Sequence, residues 1–503
     1  MELKVFKDTL MAAGGSFDAK AELPVEAEIL IPDYLPQVFK IVKCFVHLVV
    51  LQKQVIGARV TLDGYLRCVV CYQAGEDQSL CQTEQKLPFT KTIEFNMEGT
   101  SSCQVQVGGE LEYLNCRAVN QRRIDLRGAY ALTVKVSCQV EQEIVTAVAD
   151  CGAEQKLTLL SGIRPVACLD KPMTAEEEIA FPEQPAAVLD ISGAAAVDEV
   201  KIISGKAVVK GRVQARVLYR TQPGYWLDTL RQEIPFNQIV DLDGVGEDCV
   251  CFAAVEPTGC TLMAGQEGHS TLSMNALLHL RAWRTVECYA VGDAFSTQYE
   301  MEAEVYQTGM EPVAARLEET VEAVAGGTLP DENAELIHCF VTLNPLELVP
   351  GSGTLQLRGR AVAHLLCMNS LGEIDCYDKA FEFTLPQLYE GAPEHYRAEC
   401  WAGVSEVTVT KNGNEMNARV LIRVTGLVLQ RRSETVLAEL RCLEPLVRQD
   451  PEVALRICYA KQGENLFDIA KRYHVSPGAM KLCNRLEEPE LTRDLRLLVP
   501  VVI

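Results

Sequence analysis

The sequence predicts a mainly β fold, with three repeated β-sandwich-like domains followed by a small α+β domain of βααβ order. Two observations lead to this prediction. Segments with an apolar residue at every second position recur at a fixed distance along the chain, whereas residues 456–503 show helical spacing between two short β segments. Alternation is typical of half-buried strands because successive side chains point to opposite faces of a sheet.

Three glycines define the repeat most clearly. Gly64, Gly211 and Gly359 each interrupt an alternating segment, at intervals of 147 and 148 residues. A glycine at a fixed place in a strand predicts a β-bulge or a close approach of another backbone. A second alternating strand closes each unit, at 124–134, 272–278 and 416–424.

Prolines recur on both sides of these glycines. Pro182 and Pro330 each lie 29 residues before their glycine. Pro88 and Pro235 each follow theirs by 24 residues, in a Leu/Ile-Pro-Phe step, and Phe383–Thr–Leu–Pro386 is a looser third match. The units therefore share their flanks as well as their central strands.

The repeat sets the predicted domain boundaries. We expect β-rich domains at residues 1–160, 161–306 and 307–443, a linker at 444–455 and a final domain at 456–503. A few short helices are expected within the β-rich domains, one of them beginning near Pro36.

Composition and charge exclude some classes of function. The 503-residue chain is 48% hydrophobic and 23% charged, which is typical of globular domains. Its net charge of −22 argues against a nucleic-acid partner, since no phosphate backbone would be neutralised. Residues 456–503 hold eight Lys or Arg and six Asp or Glu, so a tip of net +2 follows a body of net −24. This asymmetry would steer the tip toward an acidic partner, or it only keeps the surface solvated.

The 20 cysteines are scattered over the whole chain. Because the first residues form no apolar signal core, we expect free thiols in a reducing cytoplasm. No uncharged apolar run reaches the roughly 18 residues that a membrane span needs, so we expect no transmembrane segment.

No motif predicts an enzyme, a cofactor or a metal. Cys68 and Cys71 have CxxC spacing, but they lie in a predicted strand where residues three apart face opposite sides. No second pair and no nearby histidine completes a set of four zinc ligands. The seven histidines are dispersed, without a recognisable nucleophile–base pattern.

The last segment begins as a short strand and turns at Gln462–Gly463. Leu466, Ile469, Ala470 and Tyr473 then follow at helical spacing, which predicts a helix with one apolar face. Pro477 suits the first turn of a second helix through Cys483, and 495–500 predicts a closing strand. Phe467 falls off the apolar stripe, so we expect a solvent-facing aromatic, with packing against the last domain as the alternative.

This order, with Gly463, Leu466, Tyr473, Asn484 and the final Leu-Leu-Val-Pro, resembles the LysM domain. The resemblance implies binding of N-acetylglucosamine polymers in a shallow groove. One side of the groove would be formed by Gly463, Glu464, Asn465, Leu466 and Phe467. The facing side would be formed by Asn484, Arg485, Leu486 and Glu487. The chain departs from the family at 492–494, where a Pro-Gly-Gln-type turn is usual.

The whole chain resembles the SipL-type family of SPOCS-domain proteins from endospore-forming bacteria, on the three units, the Ile31–Pro36 lead-in and the LysM-like tail. The resemblance implies a non-enzymatic scaffold in endospore coat assembly, acting in the mother-cell cytoplasm at the forespore surface. Its expected partner is the ATPase that polymerises as the coat's basement layer, contacted through the repeats and the tail. The alternative is a peptidoglycan-binding protein, for which the LysM resemblance is the only support.

Overall fold

The computed structural model describes most of the chain. The described residues are 2–75, 79–96, 100–183, 185–221, 227–264, 269–351, 354–385, 391–447 and 456–500. Most of the expected linker, residues 448–455, and Pro386 of the third proline step lie outside the described residues.

The first unit consists of two three-stranded antiparallel sheets that face each other. Its strands are β1 (Lys4–Leu30), β2 (Val38–Ile56), β3 (Arg59–Ala74), β4 (Leu80–Glu94), β5 (Thr100–Asn120) and β6 (Arg123–Ala149). The sheet orders are β1-β6-β5 and β2-β3-β4. Leu62 from one sheet and Leu126 and Leu132 from the other are fully buried in one shared core. The alternating side chains of the central strands β3 and β6 thus supply the core that holds the two sheets together.

The second unit repeats this order. Its strands are β7 (Ala153–Ala180), β8 (Pro185–Ile203), β9 (Lys206–Thr221), β10 (Leu227–Asp241), β11 (Cys249–Ala264) and β12 (His269–Ser296). They form the sheets β7-β12-β11 and β10-β9-β8. The second unit therefore has the strand order of the first, strand for strand.

In the third unit the first, second and last strands are each divided. Its strands are β13 (Tyr299–Met310), β14 (Val313–Thr328), β15 (Glu335–Leu343), β16 (Glu347–Pro350), β17 (Leu355–Met368), β18 (Ile374–Thr384), β19 (Tyr396–Asn412), β20 (Glu415–Gln430) and β21 (Arg432–Pro445). Sheets β14-β20-β19 and β15-β17-β16, with β18 on β17, repeat the facing pair, and β13 pairs with β21. The mainly β prediction is confirmed, and the predicted closing strands are the central strands β6, β12 and β20.

Each unit extends beyond its sheets as a two-stranded arm. The arms pair 4–13 with 139–149, 153–163 with 285–296, and β13 with β21. A register shift lies close to the junction of arm and sheet in each unit, at Gly14, Val166 and Ala314. Successive units join at 150–152 and 297–298, at the arm ends and eight residues ahead of the boundaries expected at 160 and 306.

The three arms pack against one another around a common apolar core. One layer of this core takes two buried residues from each arm: Leu10, Ile144, Leu160, Ala290, Met310 and Val436. A second layer takes Val145, Val148, Val291, Ala294, Leu437 and Leu440. Equivalent positions such as Val145, Val291 and Leu437 lie 146 residues apart, so the arms meet with near threefold symmetry. Burial of these side chains, worth about 1.5–3 kcal/mol for each large one, ties the units into one body.

The repeated glycines allow a close cross-strand contact. Gly64, Gly211 and Gly359 lie directly opposite Phe89, Phe236 and Phe383 in the strand pairings. A Cβ at Gly359 would lie 2.1 Å from Cζ of Phe383, and one at Gly211 would lie 2.4 Å from Cζ of Phe236. A register shift in β2 and another in β8 also fall beside their glycines. The prediction of a bulge or a close approach is confirmed, and Phe383, rather than Pro386, is the third equivalent of the aromatic step.

Two expectations about the body were wrong. No helix begins near Pro36, because residues 33–35 form a turn closed by a bond from Leu35 N to the Pro32 carbonyl. Cys103 and Cys138 are not free thiols but form a disulfide, since they lie directly opposite each other on β5 and β6. Cys68 and Cys71 do face opposite sides of β3, as predicted: Cys68 lies in the core of the first unit, and Cys71 packs against neighbouring units.

The end of the chain, which we call the tip, has the predicted βααβ order. It consists of β22 (Arg456–Ala460), α1 (Leu466–Tyr473), α2 (Pro477–Asn484) and β23 (Leu495–Val499). Asn465 caps α1 by accepting a hydrogen bond from Phe467 N, which satisfies one of the free amides at the start of the helix. Leu466, Ile469 and Ala470 are buried in the core of the tip, as their spacing predicts.

The glycine–phenylalanine contact generates a stability prediction. Gly359→Ala should lower the stability of the third unit by about 1–3 kcal/mol, because the new methyl group overlaps the Phe383 ring. Adding Phe383→Leu should recover part of this loss, since the three atoms closest to the new methyl all belong to that ring. Urea denaturation followed by circular dichroism measures both effects.

Gly211 provides the matched control. A Cβ there also meets the backbone oxygen of Ala196 at 2.3 Å, so Phe236→Leu should not rescue Gly211→Ala. Equal rescue at both sites would show that the aromatic ring is not what requires glycine at Gly359.

Candidate functional site

Helix α1 attaches the tip to the ends of the arms. The Phe467 ring packs edge-on against Phe295 of β12 with centroids 5.2 Å apart. Lys471 Nζ lies 2.6 and 2.8 Å from the two carboxylate oxygens of Asp293. His474 Nδ1 lies 3.0 Å from the Ser296 carbonyl. An aromatic contact, a bidentate ion pair and a hydrogen bond therefore hold the tip on the body, and Lys156 of β7 adds an ion pair with Asp468 at 3.4 Å.

This attachment corrects the expectation for Phe467. The ring is only 8% exposed and belongs to the tip core together with Phe295. The solvent-facing interpretation is therefore wrong, and the residue packs against the second unit, not the last. Lys471 also meets an acidic partner, but that partner is Asp293 of the same chain.

The first side of the predicted groove is bonded to the loop before β23. Gly463 N donates to Leu491 O at 2.7 Å, and Leu491 N donates to Glu464 O at 3.0 Å. Leu466 N donates to Pro489 O at 2.7 Å. Glu464 also accepts from Lys461 N and Arg472, which lower the pKa of its carboxyl group, and Leu466 is buried. This side of the groove thus faces residues 489–491.

The second side of the predicted groove has a structural role next to β23. The Asn484 side chain accepts from Leu498 N at 2.7 Å and donates to Leu498 O at 2.8 Å. Arg485 caps α2 in the left-handed conformation (φ 53°) with its side chain exposed, Leu486 is half-buried against the tip core, and Glu487 is exposed. Because Leu498 pairs with Ile457 and Leu495 with Ala460, Asn484 lies at the opposite end of the strand pair from Gly463.

The outer side of the β22–β23 pair carries an exposed patch that we call the tip face: Ile457, Tyr459, Arg496 and Leu498. Tyr459 is 72% exposed, and the Arg496 guanidinium lies over its ring at 5.4 Å. Ile457 and Leu498 are opposite each other and also exposed. Sequence alternation carried this signal, because Cys458, Ala460, Leu497 and Val499 point inward.

A charge reversal tests the attachment of the tip. Lys471→Asp should replace the ion pair with repulsion and raise amide exchange at residues 293–296 roughly two- to fivefold. The double change Lys471→Asp with Asp293→Lys should restore the slow exchange. Hydrogen–deuterium exchange measures both, and Lys481→Asp on the exposed side of α2 serves as the control. No difference between the single change and this control would show that the ion pair does not hold the tip.

A second candidate site is a cavity of about 540 Å³ where the three units meet. Strands β3 and β9 line it with alternate residues, such as Arg67 and Val69, or Gln214 and Arg216. Strands β8, β11, β15 and β19 line it with consecutive residues, for example 191–197 and 401–407. Since a sheet face presents every second residue, the consecutive runs show that these four strands meet the cavity along their edges.

Two histidines of this cavity are held neutral. Burial lowers the pKa of His338 to about 4, and the charge of Arg216 adds to the effect. Desolvation within the cavity and the charge of Arg67 likewise lower the pKa of His47 to about 4, although His47 is exposed to the cavity. The His338 ring nitrogen Nε2 lies 3.1 Å from Ser192 Oγ, which joins the second and third units.

An ion cluster lies beside the cavity. Asp170 accepts from His279 at 2.8 Å and pairs with Arg281 and Lys53, each at 2.8 Å. Burial alone would raise the pKa of Asp170, but the hydrogen bond from His279 and the two cations outweigh it and hold the pKa well below its usual range. For His279, burial is in turn outweighed by Asp170 and Glu256, so its pKa is raised. Lys53 belongs to the first unit, so the cluster links two units electrostatically.

A cluster of three polar side chains on β17 and β18 was missed by sequence reasoning. His364, Cys376 and Asp378 come together on β17 and β18, with His364 Nδ1 2.8 Å from Asp378. They are adjacent because the strand register places His364 opposite Asp378 and Leu366 opposite Cys376. Lys43 of the first unit also bonds Asp378, so the carboxylate is already paired with a cation. The group serves as a contact between the first and third units.

The buried histidine predicts a loss of stability in acid. Because the pKa of His338 falls from 6.5 to about 4 on folding, the unfolded chain binds its proton first, and stability decreases as the pH drops from about 6.5 toward 4. Between pH 7 and pH 5, the free energy of unfolding of the His338→Gln variant should therefore fall by about 1–2 kcal/mol less than that of the unchanged protein. Urea denaturation at both pH values measures this. The exposed His269 is the control, and an equal effect of His269→Gln would contradict the assignment.

The fold and the sites can now be compared with known proteins. The family model described as SipL, SPOCS domain, matches residues 37–119 and 186–263. The two matches cover the same four strands of the first and second units, β2–β5 and β8–β11. These two regions are therefore similar to the SPOCS domain of the SipL type, which is related to the spore coat. For these two units the match confirms the resemblance found in the sequence.

The remaining comparisons add no relative. No curated protein and no solved structure matches the chain. In the described part of the chain, no helix has the length and apolar character required to cross a membrane.

Proposed function

We propose that this protein is a non-enzymatic adaptor in endospore coat assembly. It would tether the ATPase of the coat's basement layer to the forespore surface, in the cytoplasm of the mother cell. The match of two units to the SipL SPOCS domain is the observation that carries the proposal. The LysM-type character of the tip is part of it, supported by the βααβ order and the residues of the sequence resemblance.

The exposed tip face supports protein docking. Tyrosine and arginine are enriched among the residues that contribute most to protein–protein binding. Here Tyr459 and Arg496 stack on each other between the exposed Ile457 and Leu498, while α1 is occupied by its contact with the body. A docking face on β22 and β23 would therefore remain available when α1 is attached to the arms.

Charge favours the same face. The tip carries net +2 on a body of net −24, so an acidic partner surface is attracted to the tip and repelled by the body. We place the ATPase contact on the tip face rather than in the predicted groove. The groove residues Gly463, Leu466 and Asn484 are engaged within the tip itself.

The proposal predicts a loss of capture on changing the tip face. Tyr459→Ala combined with Arg496→Glu should reduce binding of the basement-layer ATPase by full-length protein about tenfold or more, because the tip face loses both its aromatic ring and its positive charge. Pull-down of the purified ATPase measures this, and circular dichroism checks that the body is folded. Tyr34→Ala, an aromatic residue 84% exposed on the first unit, is the matched control.

The same assay examines the alternative function. Each protein is also mixed with insoluble peptidoglycan and sedimented. Capture of peptidoglycan without capture of the ATPase would replace the adaptor with a glycan-binding protein. Equal ATPase capture by both variants and the unchanged protein would remove the tip face from the mechanism.

A further inference from the structure

The central cavity is unusual because sheet edges form much of its wall. An edge strand carries main-chain N–H and C=O groups that its own sheet does not use. Among the described residues, β8 pairs only with β9, β11 with β12, β15 with β17 and β19 with β20. Each of these strands therefore presents one unpaired side, and the consecutive lining residues show that this side faces the cavity.

Three of the four edges are altered within the cavity. Strand β11 has a register shift at Pro257 and β19 has one beside Glu406. The Cys339 carbonyl of β15 accepts a hydrogen bond from Arg216 of β9 at 3.3 Å. The other terminal nitrogen of Arg216 donates to the Val407 carbonyl of β19 at 2.8 Å. Shifts, prolines and charges are the usual means by which an edge is protected from pairing with another strand.

The edge of β8 lacks these protections where it meets the cavity. Residues 191–197 read Ile-Ser-Gly-Ala-Ala-Ala-Val, without a charge or a proline, and the register shifts of β8 flank this stretch, one between Val188 and Asp190 and one directly after Val197. The four consecutive small residues 193–196 put no bulky side chain beside this edge, where an added strand would lie at the ~4.8 Å spacing of paired strands. Seven residues are also sufficient for an added strand of ordinary length, about 5–6 residues.

Charges in the cavity favour a carboxylate on the added strand. Arg67 is paired with Glu84, and Glu256 with His279. Arg216 uses two N–H groups on carbonyls, and in the described residues no carboxylate lies within ion-pair distance of it; Glu406 acts on it only at longer range. Arg423 also lines the cavity, and His47 and His338 are neutral. Arg216 is thus a half-buried cation with donors to spare.

We infer that the cavity binds an extended, carboxylate-bearing peptide segment of a partner protein, which adds as a strand to the edge of β8 and places its carboxylate on Arg216. Main-chain bonds to 191–197 supply affinity, and Arg216 supplies selectivity for an acidic residue. Apolar side chains of the segment meet Phe45, Leu218 and Phe340 on the facing walls. The site lies on the body and does not depend on the tip.

Panning a random heptapeptide phage library on the full-length protein tests this inference. Peptides with acidic and β-branched residues should be enriched, and the best synthetic peptide is then titrated by fluorescence anisotropy. Gly403→Leu should weaken its binding about tenfold or more, because Gly403 lines the cavity, a Cβ there meets no atom within 4 Å, and the added leucine would occupy free space at the cavity wall. Arg216→Gln should weaken acidic peptides but not their amide counterparts, whereas Gly478→Leu in α2 should change nothing.

Hydrogen–deuterium exchange locates the bound peptide independently of these variants. Alternate amides within 191–197 should become protected, because only every second N–H of an edge strand points away from its own sheet. No enrichment over an uncoated surface would overturn the inference. Equal binding by Gly403→Leu and the unchanged protein, or protection confined to residues 456–500, would also overturn it.

Discussion

The packing of the three arms is the interaction on which the rest of the structure depends. An isolated two-stranded arm is marginally stable in water, because one face of it remains exposed. Here each arm buries that face against the other two, around residues such as Ile144, Ala290 and Val436. The arrangement fixes the three units around a common axis, creates the cavity between their sheet edges, and provides the surface at Asp293 and Phe295 to which the tip attaches.

Similar units have acquired different surroundings in this arrangement. All three share a glycine under an aromatic ring and two facing sheets, so their internal packing is nearly interchangeable. The surroundings of their outer strand edges differ from unit to unit. The cavity is lined by the edges of β8 and β11 from the second unit and of β15 and β19 from the third, whereas the first unit contributes sheet faces. Charged contacts between units, such as Lys53 with Asp170 and Lys43 with Asp378, also differ from one junction to the next. The differences between the three units are therefore concentrated at their junctions.

The sequence predicted what depends on local pattern. Alternation located the central strands, and the spacing of Gly64, Gly211 and Gly359 located the units. Helical spacing located the core of α1 but could not place Phe467, because its environment is set by Phe295, more than 170 residues away. The pairing of His364 with Asp378 required the strand register, and the cavity required the relative placement of three units. The equivalent arm positions at 146-residue intervals were a signal that sequence reasoning could have used.

The arm core also determines when the chain can finish folding during its synthesis. The first arm pairs residues near 10 with residues near 142, but its apolar face is covered only after β21 has been made, at residue 445. At a translation rate of about 5–20 residues per second, the roughly 300 intervening residues take on the order of 15–60 s. During that interval the sheets of the first unit can form while its arm stays exposed. A nascent chain with an uncovered apolar hairpin is a substrate for chaperones and a hazard for aggregation, so the ring of units confers stability only on the completed polypeptide.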